Sequence, residues 1–485
     1  MTGKTEINSG LSRSARWVER RPWIVFVFLA ILLAIQITPK FKMSPDGVSY
    51  MSIARNMLHG RIERLGSPHI RYAPGYPLLI TPAFLSGERP FIAVQGLQWF
   101  YAMLLALGVY AWFAKYAGRG AIWITALTMA SAGYWDLFRT ASSEIVFAPA
   151  VIWAGYFMAR SLDARRWIGW AIAAIFVAAI ACATRQAGAM LGGGFVLAAG
   201  IRAMRGRMPW PRAIALCAVV VLSIGIVSWG LIAFDRWGIR QVSTGDSGYV
   251  AVFFKPGRTV GGQLAEGTRR QVAEIGRLLI PGMWKTHSRE HEYLDINNII
   301  YAMVFIPVAM EWWRLCRDTD DPLALSLPFF LALYIVYPYD SGTRFTVPIF
   351  PVLGGSVWYL LKNHSKGRSD FFLIFIAIHA LVAIGFWLDD AAHVRRRYER
   401  WPEMEQVAAA IPRGTDVIAM RGEIDDRWMF LMCLADRPIA PEMDDDPVAA
   451  FANWIVADRA QPVSPGFARV QFVGQYQLER RATLK

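Results

Sequence analysis

Apolar positions in this chain come in long blocks separated by short polar connectors, not in the alternating or three-to-four-residue patterns of soluble strands and helices. Runs of about 16–22 mainly apolar residues, enough to cross the hydrocarbon core of a bilayer, fall near 22–38, 91–113, 121–135, 144–160, 167–183, 187–201, 213–234, 298–314, 323–339, 346–361 and 371–388. They predict a polytopic α-helical membrane protein with about eleven transmembrane helices. Lys and Arg collect in alternate connectors: Arg13 to Arg21, Lys115 with Arg119, Arg160 with Arg165 and Arg166, Arg202 through Arg212, Arg314 with Arg317, and Lys362 through Arg368. Short connectors rich in these residues stay cytoplasmic. The N-terminus is therefore expected inside, and the longer segments 39–90, 235–297 and 389–485 outside. The reading is most sensitive at the short break A-C-A-T-R-Q-A-G-A-M, because one continuous element across 167–201 would invert everything downstream.

Three stretches depart from the block pattern. In S-P-D-G-V-S-Y-M-S-I-A-R-N-M-L-H-G the apolar Val48, Met51, Ile53, Met57 and Leu58 recur near helical spacing and Gly60 follows, which predicts a short helix along the outer membrane surface. Segment 235–297 places Leu264, Val272, Ile275, Leu278 and Leu279 among Lys255, Arg258, Arg269, Arg270, Arg277, Lys285, His287 and Arg289. A second interfacial helix meeting anionic lipid is expected there. From Asp389 onward the long apolar runs stop, so a boundary is drawn between a membrane domain, 1–388, and a small α/β domain, 389–485. Its expected elements are helices near 399–411, 427–434 and 446–453, strands at D-V-I-A-M and W-I-V-A, and a final pair near 468–479 separated by Gly474.

Composition supports the membrane reading: 55% of 485 residues are hydrophobic and 20 are Trp, above the usual share for soluble domains. The net charge of +14 does not indicate nucleic acid, because the basic residues sit in short clusters between apolar runs. Cys182, Cys217, Cys316 and Cys433 have neither disulfide-framework nor zinc-ligand spacing. The first apolar run lacks a small-residue cleavage site after Gln36, so it is read as a retained span.

Ionisable residues near a bilayer are costly and tend to be functional where retained. Near the outer ends of the spans stand Asp46, Asp136, Arg139, Glu144, Arg185, Asp340 and Arg344, a one-sided cluster that suits a catalytic bowl better than a conduction path. Mid-span His379 is read as a packing histidine. Asp46 can serve as a helix N-cap or as a general base taking a proton from a hydroxyl. Glu144 can complement a helix dipole or act as a second acid. Arg185 and Arg344 can anchor at the membrane interface or grip phosphate through their planar forks. H-S-R-E-H matches a zinc-peptidase signature, but no third ligand accompanies it.

The order of Asp46, Tyr50, Pro74, Gly75, Tyr76 and Pro77 after the first span resembles the first outer loop of the GT-C membrane glycosyltransferases, of the protein O-mannosyltransferase and lipid A aminoarabinose transferase kind (glycosyltransferase family 39 type). R-T-A-S-S-E ending at Glu144, A-T-R-Q-A-G around Arg185, and R-F-T-V-P-I-F-P from Arg344 resemble that superfamily's outer motifs. Where many members carry two adjacent acids, Asp46 is followed by Gly47.

The resemblance implies a GT-C-like fold and an inverting hexosyl- or pentosyltransferase. It would move a sugar from a polyprenyl-phosphate donor to a lipid, glycan or protein acceptor on the outer face of a bacterial cytoplasmic (inner) membrane. Asp46 and Glu144 become the catalytic candidates and Arg185, Lys255 and Arg344 the donor-phosphate candidates. Tyr50, His69, Arg71, Tyr76 and Asp340 become the substrate-loop candidates. No metal-ligating residues are assigned, and a divalent metal ion is the one cofactor left open. Two rivals stay open: a transporter or lipid flippase, to which G-G-G at 192–194 lends support, and a noncatalytic assembly subunit.

Overall fold

The computed structural model describes residues 10–65, 72–240, 259–280, 296–337, 342–364, 369–411, 418–421, 427–436, 439–441, 454–464 and 467–482. The chain opens with α1 (Gly10–Arg20), α2 (Trp23–Ala34), α3 (Pro45–Leu58) and α4 (Gly75–Ile80). Its body is α5 (Phe91–Ala117), α6 (Ala121–Met129), α7 (Ala132–Arg139), α8 (Glu144–Asp163), α9 (Trp167–Thr184), α10 (Met190–Met204), α11 (Trp210–Arg240), α12 (Val260–Leu279), α13 (Ile296–Thr319), α14 (Pro322–Val336), α15 (Phe350–His364) and α16 (Ser369–Arg397). All the apolar runs fall on helices. Among the described residues seven stretches are long and apolar enough to cross a membrane, and Trp23–Ala34, Pro322–Val336 and Val347–Leu361 are shorter apolar helices.

Three differences from the sequence reading have physical causes. The expected span 121–135 is broken at extended Ser131 into α6 and α7, and the Trp135 indole donates to the Met129 carbonyl at 2.6 Å, satisfying a helix end. The helix expected on the outer membrane surface, α3, does not lie open: Gly47 through Ala54 are all buried, because α4 and the turn Thr81–Ser86 pack on it. α12 is amphipathic as expected, yet it docks on the end of α14. Gln263 Nε2 donates to the Val336 carbonyl at 2.6 Å and Arg270 donates to the Tyr337 carbonyl.

The break at 181–190 is real. Arg185 is extended (φ −152°, ψ 131°) and a tight turn, Gln186–Ala189, precedes α10. A Cβ on Gly188 would come within 2.6 Å of the Cys182 amide nitrogen, so the chain folds back closely on the end of α9. The G-G-G run is a packing surface: Cβ atoms would meet the Phe329 ring at 2.8 Å from Gly193 and the Pro322 carbonyl oxygen at 2.4 Å from Gly194. Small residues there let α10 and α14 approach closely. Just before α14, wholly buried Asp320 accepts from Arg205 at 2.5 Å and Arg207 at 2.7 Å. Next to it Asp321 caps α14 at the Ala324 amide.

The C-terminal part holds α17 (Trp401–Ala410), α18 (Arg427–Ala435) and the strands β1 (Ile418–Arg421), β2 (Ile439–Pro441), β3 (Trp454–Asp458), β4 (Phe467–Val473) and β5 (Tyr476–Arg481). The sheet order is β2-β1-β3-β5-β4; β1 is parallel to β2 and β3, and β5 is antiparallel to β3 and β4. Gly474, at φ +58°, turns the last hairpin. Strand β2 was not expected from the sequence, and the expected helix 446–453 lies outside the described residues. α16 runs through Asp389 to Arg397, so the composition change falls within a helix.

Candidate active site

Ser44 caps α3, its Oγ accepting the Gly47 amide at 3.0 Å. The Asp46 carboxylate therefore does not cap the helix. Its Oδ1 accepts from the Tyr72 hydroxyl at 2.9 Å and its Oδ2 from Arg344 Nη1 at 2.6 Å. Gly47 allows the start of α3 to press on the loop before α8, where a Cβ would lie 3.1 Å from the Ala141 carbonyl oxygen. A parallel bridge between Lys42 and Thr140 fixes the same approach.

That approach brings Asp46 towards Glu144, the first residue of α8, whose side chain is 2% exposed. Glu144 Oε2 accepts from Ser142 Oγ at 2.5 Å and Ser143 Oγ at 3.2 Å. Its Oε1 accepts from Arg185 Nη1, and Arg344 Nε stands 3.6 Å from that same oxygen. Arg344 thus lies between both carboxylates. Arg185 also donates to Ser143 Oγ at 3.1 Å. Both guanidiniums lie over the Phe345 ring, at 4.3 Å for Arg185 and 5.5 Å for Arg344, a cation–π arrangement.

Tyrosines back this charged group. Tyr50 donates to Ser143 Oγ at 3.3 Å and its ring meets Tyr72 and Tyr76 edge-on at 4.9 and 5.0 Å. Tyr76 is wholly buried and accepts from Gln98 Nε2 at 3.5 Å. Gly75 in the P-G-Y-P turn lets this group reach α9: a Cβ there would stand 2.5 Å from the Ala183 carbonyl. Burial and then the Asp46 charge push the Tyr72 hydroxyl up to about 12, so it remains a donor at ordinary pH. Burial alone would lower the Arg344 pKa, but the carboxylates of Glu144 and Asp46 outweigh it and raise it.

No family model and no curated protein matches the sequence; solved structures do. ArnT from Cupriavidus metallidurans in the apo state aligns at TM-score 0.60 and 13% identity, over 96% of this chain and 98% of that one. ArnT bound to undecaprenyl phosphate aligns at TM-score 0.58 and 13% identity, over 95% of this chain and 98% of that one. The archaeal oligosaccharyltransferase AglB from Archaeoglobus fulgidus, in complex with an inhibitory peptide and a dolichol-phosphate, aligns at 0.53 and 14% identity, over 91% of this chain and 70% of that one. This chain has the GT-C fold.

Within this GT-C fold the structure brings together five residues singled out from the sequence: Asp46, Tyr50, Glu144, Arg185 and Arg344. Tyr76 stands behind them. His69, Arg71, Lys255, Asp340 and the H-S-R-E-H run lie outside the described residues. Asp136 and Arg139 join a separate network, in which Lys42 Nζ is 2.5 Å from Asp136 and 3.3 Å from Asp390, and Arg139 is 2.5 Å from Asp390. His379 packs against the Phe375 and Phe350 rings. Tyr72, Ser142 and Ser143 were missed, although each lies inside a quoted motif, Y-A-P-G-Y-P or R-T-A-S-S-E.

Among the described residues the donor set does not fit a divalent cation. Among the described residues no three His, Cys, Asp or Glu side chains converge, and the space between Asp46 and Glu144 is taken by the Arg344 guanidinium, a cation with no lone pair to offer.

Proposed function

We propose that this GT-C chain is an integral membrane glycosyltransferase that moves a sugar from a polyprenyl-phosphate donor to an acceptor hydroxyl on the outer face of a bacterial cytoplasmic membrane. The observation that carries the reading is the convergence of Asp46 and Glu144 on Arg344, with Arg185 behind. That is one reactive carboxylate beside two phosphate-matched cations. Residues 1–388 form the transferase domain in this reading and 389–485 an extracytoplasmic domain.

The acceptor oxygen attacks the anomeric carbon from the face opposite the phosphate, which inverts the centre. As the new C–O bond forms, the old bond to the phosphate oxygen breaks, and its electron pair leaves with polyprenyl phosphate. The acceptor proton passes to Asp46 Oδ2. Arg344, 39% exposed, and Arg185, 14% exposed, offset the charge that grows on the leaving phosphate. Glu144 is encased in donors and serves as the fixed counter-charge that aims both arginines.

Arg344 has two claimants in this scheme. Without donor it pairs with Asp46 and holds the base's reactive oxygen. A donor phosphate competes for the guanidinium and frees Oδ2, so the base becomes available when a sugar is present. The test is transfer from a polyprenyl-phosphate sugar by purified protein in nanodiscs, with polyprenyl phosphate binding measured alongside. A wild-type protein that neither binds polyprenyl phosphate nor transfers sugar from it would end this reading. The G-G-G run lends less to the flippase alternative, because Gly193 and Gly194 pack on α14 and Gly192 on Ile224 of α11.

A further inference from the structure

The helix that carries Asp46 is held at both ends by the C-terminal part of the chain. Five residues before Asp46, the Phe41 amide donates to the Tyr398 hydroxyl at 2.8 Å and that hydroxyl donates back to the Phe41 carbonyl at 3.0 Å. The Phe41 ring stacks on Phe91 at 5.8 Å, and Phe91 meets Trp401 at 5.9 Å. Nine residues after Asp46, Arg55 Nη2 lies 2.5 Å from Asp436 Oδ1, with the two side chains 17% and 31% exposed. Asp436 follows α18 directly and takes a left-handed backbone, φ +53°, which is uncommon for a side-chain-bearing residue. It ends α18 and turns its carboxylate back onto α3.

We infer that the C-terminal part of the chain is a clamp on the catalytic helix, and that Asp436, acting through Arg55, is a positioning residue for Asp46. The inference rests on the transferase reading for its functional half only. The physical argument is leverage. α3 is a single rigid rod of 14 residues with its reactive carboxylate at one end, and the groups it must meet, Arg344 and Glu144, belong to other helices. At the N-terminal end the Ser44 cap and the Gly47 contact fix α3 locally. Between its ends α3 is packed by α4 and the segment before it, through the Tyr76 ring on Tyr50 and the Leu65 amide on Ser52 Oγ, so the rod rocks about its middle and a displacement at Arg55 is passed on to Asp46. At that far end, among the described residues, the holding ion pair is Arg55–Asp436, while the other carboxylate near Arg55, Glu88 at 3.5 Å, is 75% exposed and solvent-screened. A misplacement of about 1 Å in a reacting group costs up to about 100-fold in rate, so a small tilt is enough to matter.

The test compares four full-length proteins in nanodiscs: wild type, Asp436→Ala, the reversed pair Arg55→Asp with Asp436→Arg, and Tyr398→Phe. Amide hydrogen exchange is read over 44–58 and, as an internal control, over 144–163. The clamp predicts that Asp436→Ala speeds exchange in 44–58 about tenfold and leaves 144–163 unchanged, and that the reversed pair restores protection. In transfer assays kcat falls about tenfold or more in Asp436→Ala, donor KM stays within about twofold, and the reversed pair recovers most of the loss. A purely structural ion pair would be rescued by charge reversal as well, so the readout that marks positioning is the fall in kcat at unchanged donor KM, with exchange over 144–163 unaltered. Tyr398→Phe loosens the front of the helix in the same way if the clamp is two-ended. Unchanged exchange across 44–58 in Asp436→Ala overturns the inference. Exchange that responds as expected while wild-type transfer is absent, or does not depend on Asp46, refutes the transferase reading and leaves the clamp standing.

Discussion

Replacing Asp46 by Asn removes the proposed base and almost nothing else. Ser44 and not Asp46 caps α3, so Asp46→Asn costs no cap. Asn is nearly isosteric and can still accept from Tyr72. The lost ion pair joins Asp46 and Arg344 side chains that are 30% and 39% exposed, so solvent screens it and its loss destabilises by at most about 1 kcal/mol. Loss of a general base lowers turnover by about 10²–10⁴-fold, equivalent to about 2.7–5.5 kcal/mol of barrier. The chemical effect therefore stands clear of the structural one. Because the substitution releases Arg344 from its carboxylate, polyprenyl phosphate should bind as well as to wild type or more tightly. Sugar transfer, phosphate binding and thermal unfolding of the purified variant separate these terms. Turnover within about threefold of wild type, with normal folding, would show that Asp46 takes no proton in the reaction.

Glu144→Gln should behave in the opposite way: it withdraws the carboxylate from the mostly buried Arg185 and should destabilise by about 3–5 kcal/mol. A wild-type melting temperature would contradict that. Arg344→Lys keeps charge without the planar fork, so it should weaken donor use less than Arg344→Ala, and two variants transferring at the wild-type rate would reduce Arg344 to an anchor. Gly194→Ala puts a Cβ against the backbone of α14 at 2.4–2.5 Å; a cost of about 1–3 kcal/mol is expected in thermal unfolding, and none would mean that α10 and α14 pack less closely. Cysteines introduced at 202–212 should be unreactive from outside the cell and those at the exposed positions 39, 40, 59, 61 and 62 reactive; the reverse pattern would invert the topology.

What the sequence conveys and what it hides divide along physical lines. Apolar runs long enough to span a bilayer are legible because they are a local property, and so is the short helix after the first span, expected from the spacing of Val48 to Leu58 and found at Pro45–Leu58. The charged members of the site were legible because a charge near a bilayer is costly and therefore conspicuous. Tyr72, Ser142 and Ser143 were not, since a hydroxyl acquires its role only from the carboxylate it meets in space. The interruption at Ser131 is invisible to an apolar window, because a helix break can be satisfied by a single indole. Strand β2 is three residues long, too short for any period. Burial of α3 was missed for the same reason as the clamp: the elements that cover the helix come from 17 to nearly 400 residues further along the chain.

The pairing of Asp320 with Arg205 and Arg207 has a consequence in time. These partners are separated by 115 and 113 residues, and the arginines are synthesised first. While the chain is being threaded into the membrane they are bare cations, free to retain their connector in the cytoplasm on the topology expected from the sequence. Asp320, arriving later, pairs with both and is itself wholly buried. The same two charges thus work first as an address and afterwards as a rivet between the start of α14 and the connector after α10. Asp320→Asn should leave the orientation of the protein unchanged while lowering its thermal stability.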